Sequence, residues 1–338
     1  MMLKQYWSGE GKSLKRFLCM LMVFILLLPA MPGLAVPGED GTAYTVVSQK
    51  KKLYSLADTG YLIEDYQIYF YPDKAITQAE SFNKVLSKFP DVETYVYLAN
   101  SSRSVDFDHL EAVPPLYEII QEYYPDSKTA MLPMDSFEDY CRFYYKTDHH
   151  WNYQGSYYGY QQIIRMLLGE DEPLMEPIET VEFPVCFNGS LNKLISRETS
   201  DENFTVYRFD FPEMAVRING KKKTAYGKQD AYFNGKFNKK NKLTNHYGEF
   251  YGGDVGLVQF TTGDESKENI LVFAGSFSNS INMLIASHFN NTYFVDMRHY
   301  KEDMEEKFNL TQSIKKWDIS KVLLLGDGYF FKWGTTYR

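Results

Sequence analysis

Thr147-Asp148-His149-His150-Trp151 places a carboxylate two positions before an imidazole, just ahead of a run with helical spacing. In an extended or turn segment, residues i and i+2 face the same side. Asp148 can then accept from one ring nitrogen of His150, fixing its tautomer and stabilising the imidazolium that forms when the ring takes a proton. Far along the chain, Ala274-Gly275-Ser276-Phe277-Ser278 follows an apolar run and precedes a second helical pattern. A hydroxyl at such a strand-to-helix turn stands at the carboxyl end of a sheet strand, where open α/β folds bind ligands. Ser276, His150 and Asp148 are therefore candidate nucleophile, general base and orienting acid. Gly275 and Phe277 flank the turn whose backbone N–H groups would face a developing oxyanion.

His149 is expected to point away from His150, and Trp151 to supply an apolar wall or a sugar platform. Taken alone, the Asp-x-His pair also fits a structural hydrogen bond at a helix start. Adjacent histidines invite a metal reading as well, but no further His or carboxylate falls at ligand spacing. No metal or cofactor is expected. Of three cysteines, Cys19 lies in an apolar leader; Cys141 and Cys186 either form one disulfide or stay as free thiols.

The elements that must position these side chains are legible from periodicity. Residues 94–100, 129–133, 269–274, 292–297 and 321–325 read as short buried strands. Helical patterns fall at 115–124, 280–289 and 302–309, and Thr77-Gln78-Ala79-Glu80 reads as a capping box opening a helix to about residue 88. Asn152 is a candidate N-cap for a helix that ends at Leu168 before Gly169. Strands alternating with helices imply a mostly parallel sheet covered on both faces. Residues 181–262, rich in Gly, Asn, Lys and aromatics, read as an antiparallel β insertion without a helix.

Tyrosine (28) and phenylalanine (24) are abundant among 338 residues, which suits both a large core and sugar-stacking surfaces. A net charge of −8 argues against general nucleic-acid binding, which needs a basic face. Eight lysines nevertheless crowd residues 217–242 against the single acid Asp230. They fit either an anionic polymer or gatekeeping charges on an exposed sheet edge. Lys12, Lys15 and Arg16 precede an apolar run from Phe17 to Leu28, with Gly33-Leu34-Ala35 behind it. Residues 1–35 thus read as a signal peptide or membrane anchor. A polar tether over 36–52 and a domain over 53–335 follow, and the body is expected outside the cytoplasmic membrane, which it contacts only through residues 17–36.

Lys146-Thr147-Asp148-His149-His150-Trp151-Asn152 with Gly155 resembles the signature of the bacterial DHHW proteins. These are similar to SGNH-hydrolase-like O-acetyltransferases of alginate and other exported polysaccharides. Phe187-Asn188-Gly189-Ser190-Leu191, residues 247–254 and the run from Leu271 through Tyr300, with His288, Asp296, Arg298 and Tyr300, match as well. The resemblance implies a three-layer α/β/α flavodoxin-like domain with a Ser276–His150–Asp148 triad, acid and histidine preceding the serine. It also implies that Trp151, Arg298 and Tyr300 contact substrate. By the same resemblance, a polysaccharide is the acceptor and a membrane-bound acyltransferase supplies acyl groups. Relatives often carry Asp where this chain has Gly275, and Asn where it has Asp327. A noncatalytic cell-envelope glycan-binding protein using the same cleft is the alternative.

Overall fold

Residues 43–48 read Ala-Tyr-Thr-Val-Val-Ser, whose β-branched and aromatic residues favour a strand over a tether. The computed structural model describes residues 35–37, 43–56, 59–65, 68–103, 116–134 and 136–338. In it four antiparallel strands pair in chain order, β1 (Ala35–Pro37), β2 (Ala43–Ser48), β3 (Leu53–Leu56) and β4 (Leu62–Glu64). The tether expected over 36–52 is thereby corrected, because its alternating residues pair with the strand that follows. Residues 1–34, most of the expected signal or anchor, lie outside the described residues.

The remaining strands are β5 (Glu93–Leu98), β6 (Lys128–Met131), β7 (Glu179–Cys186), β8 (Asn203–Arg208), β9 (Ala215–Ile218) and β10 (Lys221–Lys223). They continue with β11 (Leu257–Thr261), β12 (Asn269–Ala274), β13 (Asn291–Val295) and β14 (Lys321–Gly326). Eight of them form one sheet in the order β10-β9-β11-β13-β12-β14-β5-β6. The five from β13 to β6 are parallel, and β11, β9 and β10 extend the β13 edge antiparallel.

Counted from β12, the parallel strands lie in spatial order 2-1-3-4-5, the flavodoxin-like arrangement. The count passes from β14 to its neighbour β5, so the chain is a circular permutation of that arrangement. Residues 335–337 close the junction on the helix Pro72–Leu86 that leads into β5: Tyr337 packs on Phe82, with ring centroids 5.4 Å apart. Permutation explains why the acid and histidine, which follow β6, precede a serine that follows β12.

Strand residues alternate between two cores, as a sheet buried on both faces requires. Tyr97, Val272 and Leu325 face the helix Tyr153–Leu168, and Val96, Phe273 and Leu324 face the helices Pro72–Leu86 and Leu310–Lys316. Asn152 caps the former helix as expected, its side chain accepting from Gln154 N and Gly155 N. The capping box at Thr77 does not form. Pro72, whose fixed φ suits a first helical turn, starts that helix earlier, and Thr77 Oγ1 donates to Asp73 O within it.

The insertion departs from expectation too. Its last strands, β9 to β11, join the main sheet, and it holds the short helices Ser190–Leu194, Gln229–Phe233 and His246–Tyr251. Only β7 and β8 form a separate pair, over an aromatic cluster that includes Phe183, Phe204, Tyr232 and Phe250. Aromatic bulk in short segments allows a core without long helices. The lysines of β10 are all exposed on the outermost strand of the sheet, where charge discourages edge-to-edge pairing. Cys141 and Cys186 are free thiols.

Candidate active site

The order of strands reverses between β12 and β14, and that switch point is where doubly wound sheets bind ligands. Ser276 follows β12 by two residues and Asp327 follows β14 directly. A cavity of about 700 Å³ opens here, and Ser276, His150 and Asp148 all line it.

The three side chains form one relay. His150 Nδ1 lies 2.6 Å from Asp148 Oδ1, and His150 Nε2 lies 2.7 Å from Ser276 Oγ. Asp148 Oδ1 also accepts the His150 backbone N–H at 2.9 Å, while Oδ2 accepts the Ser190 N–H at 2.6 Å. Burial by itself would raise the Asp148 pKa; the charge and ring hydrogen bond of His150 outweigh it and hold the carboxyl well below its ordinary value. Asp148 is thus an anion whose oxygens are engaged, which fixes the acceptor nitrogen of His150 toward Ser276.

Two segments brought in by the insertion support the relay. The ring of Tyr247 stacks on His150, centroids 4.1 Å apart and planes 9° from parallel, and its hydroxyl donates to Ser276 O at 3.0 Å. The Asn188-Gly189-Ser190 turn brings the Ser190 N–H to Asp148. Gly189 is needed there, since a Cβ on it would fall 2.4 Å from Thr147 O and 2.3 Å from Asp148 Cβ.

The turn carrying Ser276 is a 3-10 helix, Ser276–Ser280, followed by the helix Asn282–Ala286. Gly275 does not supply unusual backbone freedom, for its φ of −108° is open to any residue. It supplies room: a Cβ there would stand 3.2 Å from Arg298 Nη2. Arg298 lines the cavity and is held by Asp296, with Nε at 2.9 Å, and by Asp254, with Nη2 at 3.1 Å.

Two residues expected at the substrate are elsewhere. Trp151 is fully buried and does not reach the cavity. Its Nε1 donates to Phe277 O and to Ser280 Oγ, each at 2.9 Å, tying the helix start to the serine turn. Tyr300 is buried against Phe308, edge to face, away from the cavity. In both cases the apolar body of the side chain gains more from the core than from a wet cleft.

His149 is corrected the other way. The segment is a turn and not an extended strand, so its ring lies beside that of His150, centroids 3.9 Å apart, and lines the cavity. Its Nδ1 is 2.5 Å from Ser190 Oγ. Burial, then the charge of Arg103 and His150, hold it well below its ordinary pKa, so it is neutral. Asp148, His149 and His150 offer donor atoms within 4.8 Å of one another, yet the hydrogen bonds above already engage them.

Sequence reasoning also missed a buried ion cluster in the cavity wall. Arg103 Nε donates to Glu64 Oε2 at 2.6 Å and Nη1 to Asp327 Oδ2 at 3.3 Å. Asp327 also caps the helix Gly328–Lys332 by accepting from Tyr329 N and Phe330 N. The three charges lie far apart in sequence and show no spacing. Ser190 and Tyr247, by contrast, stand in the blocks Phe187–Leu191 and 247–254, which carried the family resemblance without a role.

Beneath the site, burial raises Glu202 to about 8, against the backbone hydrogen bond and charge of Lys146. A carboxyl raised in the fold favours folding below its unfolded pKa, and that contribution is lost as pH rises through the folded one. Wild type should therefore lose about 1–3 kcal/mol from this group between pH 4.5 and 8, discounted for its partial exposure. Glu202→Gln should flatten that slope in urea unfolding measured across the range; an unchanged slope would refute the assignment.

No protein-family model matches the chain, and no curated protein does. Solved structures do. A DHHW family protein from Eubacterium siraeum DSM 15702 superposes with TM-score 0.61 at 18% identity, covering 84% of this chain and 93% of that one. Bacillus cereus PatB1 superposes with TM-score 0.61 at 19% identity, over 82% and 96% of the two chains. PatB1 with a sulfonyl adduct gives 0.60 at 18%, over 84% and 98%. The chain thus has the fold shared by a DHHW family protein and PatB1, in keeping with the resemblance read from Asp148-His149-His150-Trp151.

Proposed function

We propose that the protein is a serine-dependent O-acyltransferase or esterase acting on a cell-envelope or secreted polysaccharide. One observation carries the reading: an unbroken Asp148–His150–Ser276 relay, 2.6 and 2.7 Å across its two contacts, opening on a cavity at the sheet's switch point. His150 Nε2 takes the proton of Ser276 Oγ as the oxygen attacks the acyl carbonyl. The leaving group departs with that proton. A sugar hydroxyl, or water, then gives its proton to His150 and attacks the acyl-enzyme, and Ser276 regains its hydrogen. Backbone N–H groups at the first turn of Ser276–Ser280, which a helix start leaves without internal partners, face the oxyanion. Trp151 is a positioning residue for that turn.

That PatB1 is found with a sulfonyl adduct supports the chemistry, because such adducts form on activated nucleophiles. The acyl supply would be a membrane-bound acyltransferase, with this domain on the outer side of the membrane, held or released at residues 17–36. Among the described residues, no helix is long and apolar enough to cross a membrane. Incubation with an activated acetyl ester, followed by mass spectrometry, should find one acetyl group on wild type and none on Ser276→Ala. Absence of the adduct on wild type would leave a glycan-binding module in its place.

A further inference from the structure

The helix Tyr153–Leu168 leads away from His150, and the helix Asn282–Ala286 leads away from Ser276. They are tied together by a second buried imidazole that the proposed reaction does not use. His288, 7% exposed, follows the second helix, and the fully buried Tyr160 lies on the first. His288 Nε2 is 2.7 Å from the Tyr160 hydroxyl, and its Nδ1 is 2.8 Å from Glu172 Oε1. The Tyr160 oxygen also accepts the Met175 N–H at 2.8 Å. Glu172 and Met175 belong to residues 169–178, which form no helix or strand. The relay therefore fastens this irregular segment to both helices.

The relay has a direction. A carboxylate only accepts, so Nδ1 carries the hydrogen of the neutral ring and Nε2 accepts from Tyr160. A proton added at Nε2 would set two hydrogens between that nitrogen and the hydroxyl oxygen. The Tyr160 hydrogen must then turn into the core, where no other acceptor stands against it among the described residues. A buried donor left unpaired is costly. The surrounding charges pull both ways. Glu172 favours the imidazolium, while Lys267, which donates to Ser287 O at 3.1 Å and pairs with Asp264 at 3.6 Å, opposes it. Glu176 is engaged by the Tyr157 hydroxyl at 2.8 Å. Burial outweighs Glu172 and lowers the His288 pKa. An opened ring takes its proton below about pH 6.5, so acid favours the opened state.

From this geometry we infer that His288 is the sensor of an acid-opened latch, whose one-way relay through Glu172, Tyr160 and Met175 holds residues 169–178 to the two helices that begin at the triad. Above the titration of the opened ring the latch is shut; below it the segment is released while the sheet stays folded. Hydrogen exchange of the full chain, read at single residues, tests this at pH 7.5 and 5.0. Protection factors remove the intrinsic pH dependence of exchange.

The Met175 amide should lose about tenfold or more in protection on going to pH 5.0, whereas amides of β12 keep theirs. His288→Gln can donate to Glu172 and accept from Tyr160 without titrating, so its Met175 protection should match wild type at pH 7.5 and stay flat. Tyr160→Phe removes the oxygen that Met175 uses and should show the low protection already at pH 7.5. Met175 protection that does not change with pH in wild type would overturn the inference. So would a pH dependence that persists in His288→Gln, which would assign the titration to Glu172 or another group. An equal loss in β12 would also overturn it, by showing that acid unfolds the whole domain. The outcome is independent of any acylation at Ser276.

Discussion

Acetylation of Ser276 by an activated ester should slow by about 10³-fold or more in His150→Ala. The geometry sets this expectation: Nε2 stands 2.7 Å from Ser276 Oγ, and among the described residues no second base contacts that oxygen. Without the imidazole, the hydroxyl must ionise unaided at neutral pH. Asp148→Asn should cost nearly as much, since the amide cannot stabilise the imidazolium and can hold the ring in the wrong tautomer. The Ser190 N–H at 2.6 Å would still anchor one side-chain oxygen, so the loss would report on charge more than on position. Because the residues act as a unit, the His150→Ala, Asp148→Asn double variant should be no slower than His150→Ala alone. Time courses of adduct mass, with circular dichroism as a check on folding, measure all three. A His150→Ala rate within threefold of wild type would end the relay mechanism.

The largest effect on stability should come from Trp151→Ala, about 3–5 kcal/mol in urea unfolding. The indole is fully buried between the helix Tyr153–Leu168 and the serine turn; a Cβ on Gly159 would stand only 2.7 Å from the indole ring. Trp151→Phe is the more informative variant. It keeps much of the volume but removes Nε1, leaving Phe277 O and Ser280 Oγ without that donor at a cost of about 1–3 kcal/mol. Since those acceptors lie in the turn that presents Ser276, the acylation rate should fall in Trp151→Phe even where the protein is fully folded. An unimpaired rate would show that the indole is ordinary core.

Much of the frame was legible in the chain. Runs such as Asn269–Ala274 and Lys321–Gly326 have no polar face, so local sequence alone marks them as strands covered on both sides. The helix Tyr153–Leu168 was equally plain, with Asn152 before it and Gly169 behind it. Failures came where a local signal competed with a stronger neighbour. Thr77-x-x-Glu80 is a sound capping box overridden by Pro72, and residues 181–262 took partners from the main sheet that no local pattern reveals. Side-chain direction in Asp148–Trp151 was misjudged for His149 because a turn does not keep the period of a strand.

Residue type and short-range spacing by themselves marked the candidate acid, imidazole and hydroxyl. A carboxylate two places before an imidazole can only act locally, and a hydroxyl behind an apolar strand must surface at a sheet's carboxyl end. What folding alone decided is which distant groups share that end. Ser276 meets His150 from 126 positions further along the chain. Arg103 and Asp327 join them because the strand order brings the segments after β5, β6, β12 and β14 to one crevice, and Tyr247 and Ser190 of the insertion and Glu64 of β4 are packed against it. Covalent neighbours constrain only a few ångströms of chain; long-range pairing is set by how two-sided strands stack into a sheet, and that stacking carries no signature at any single residue.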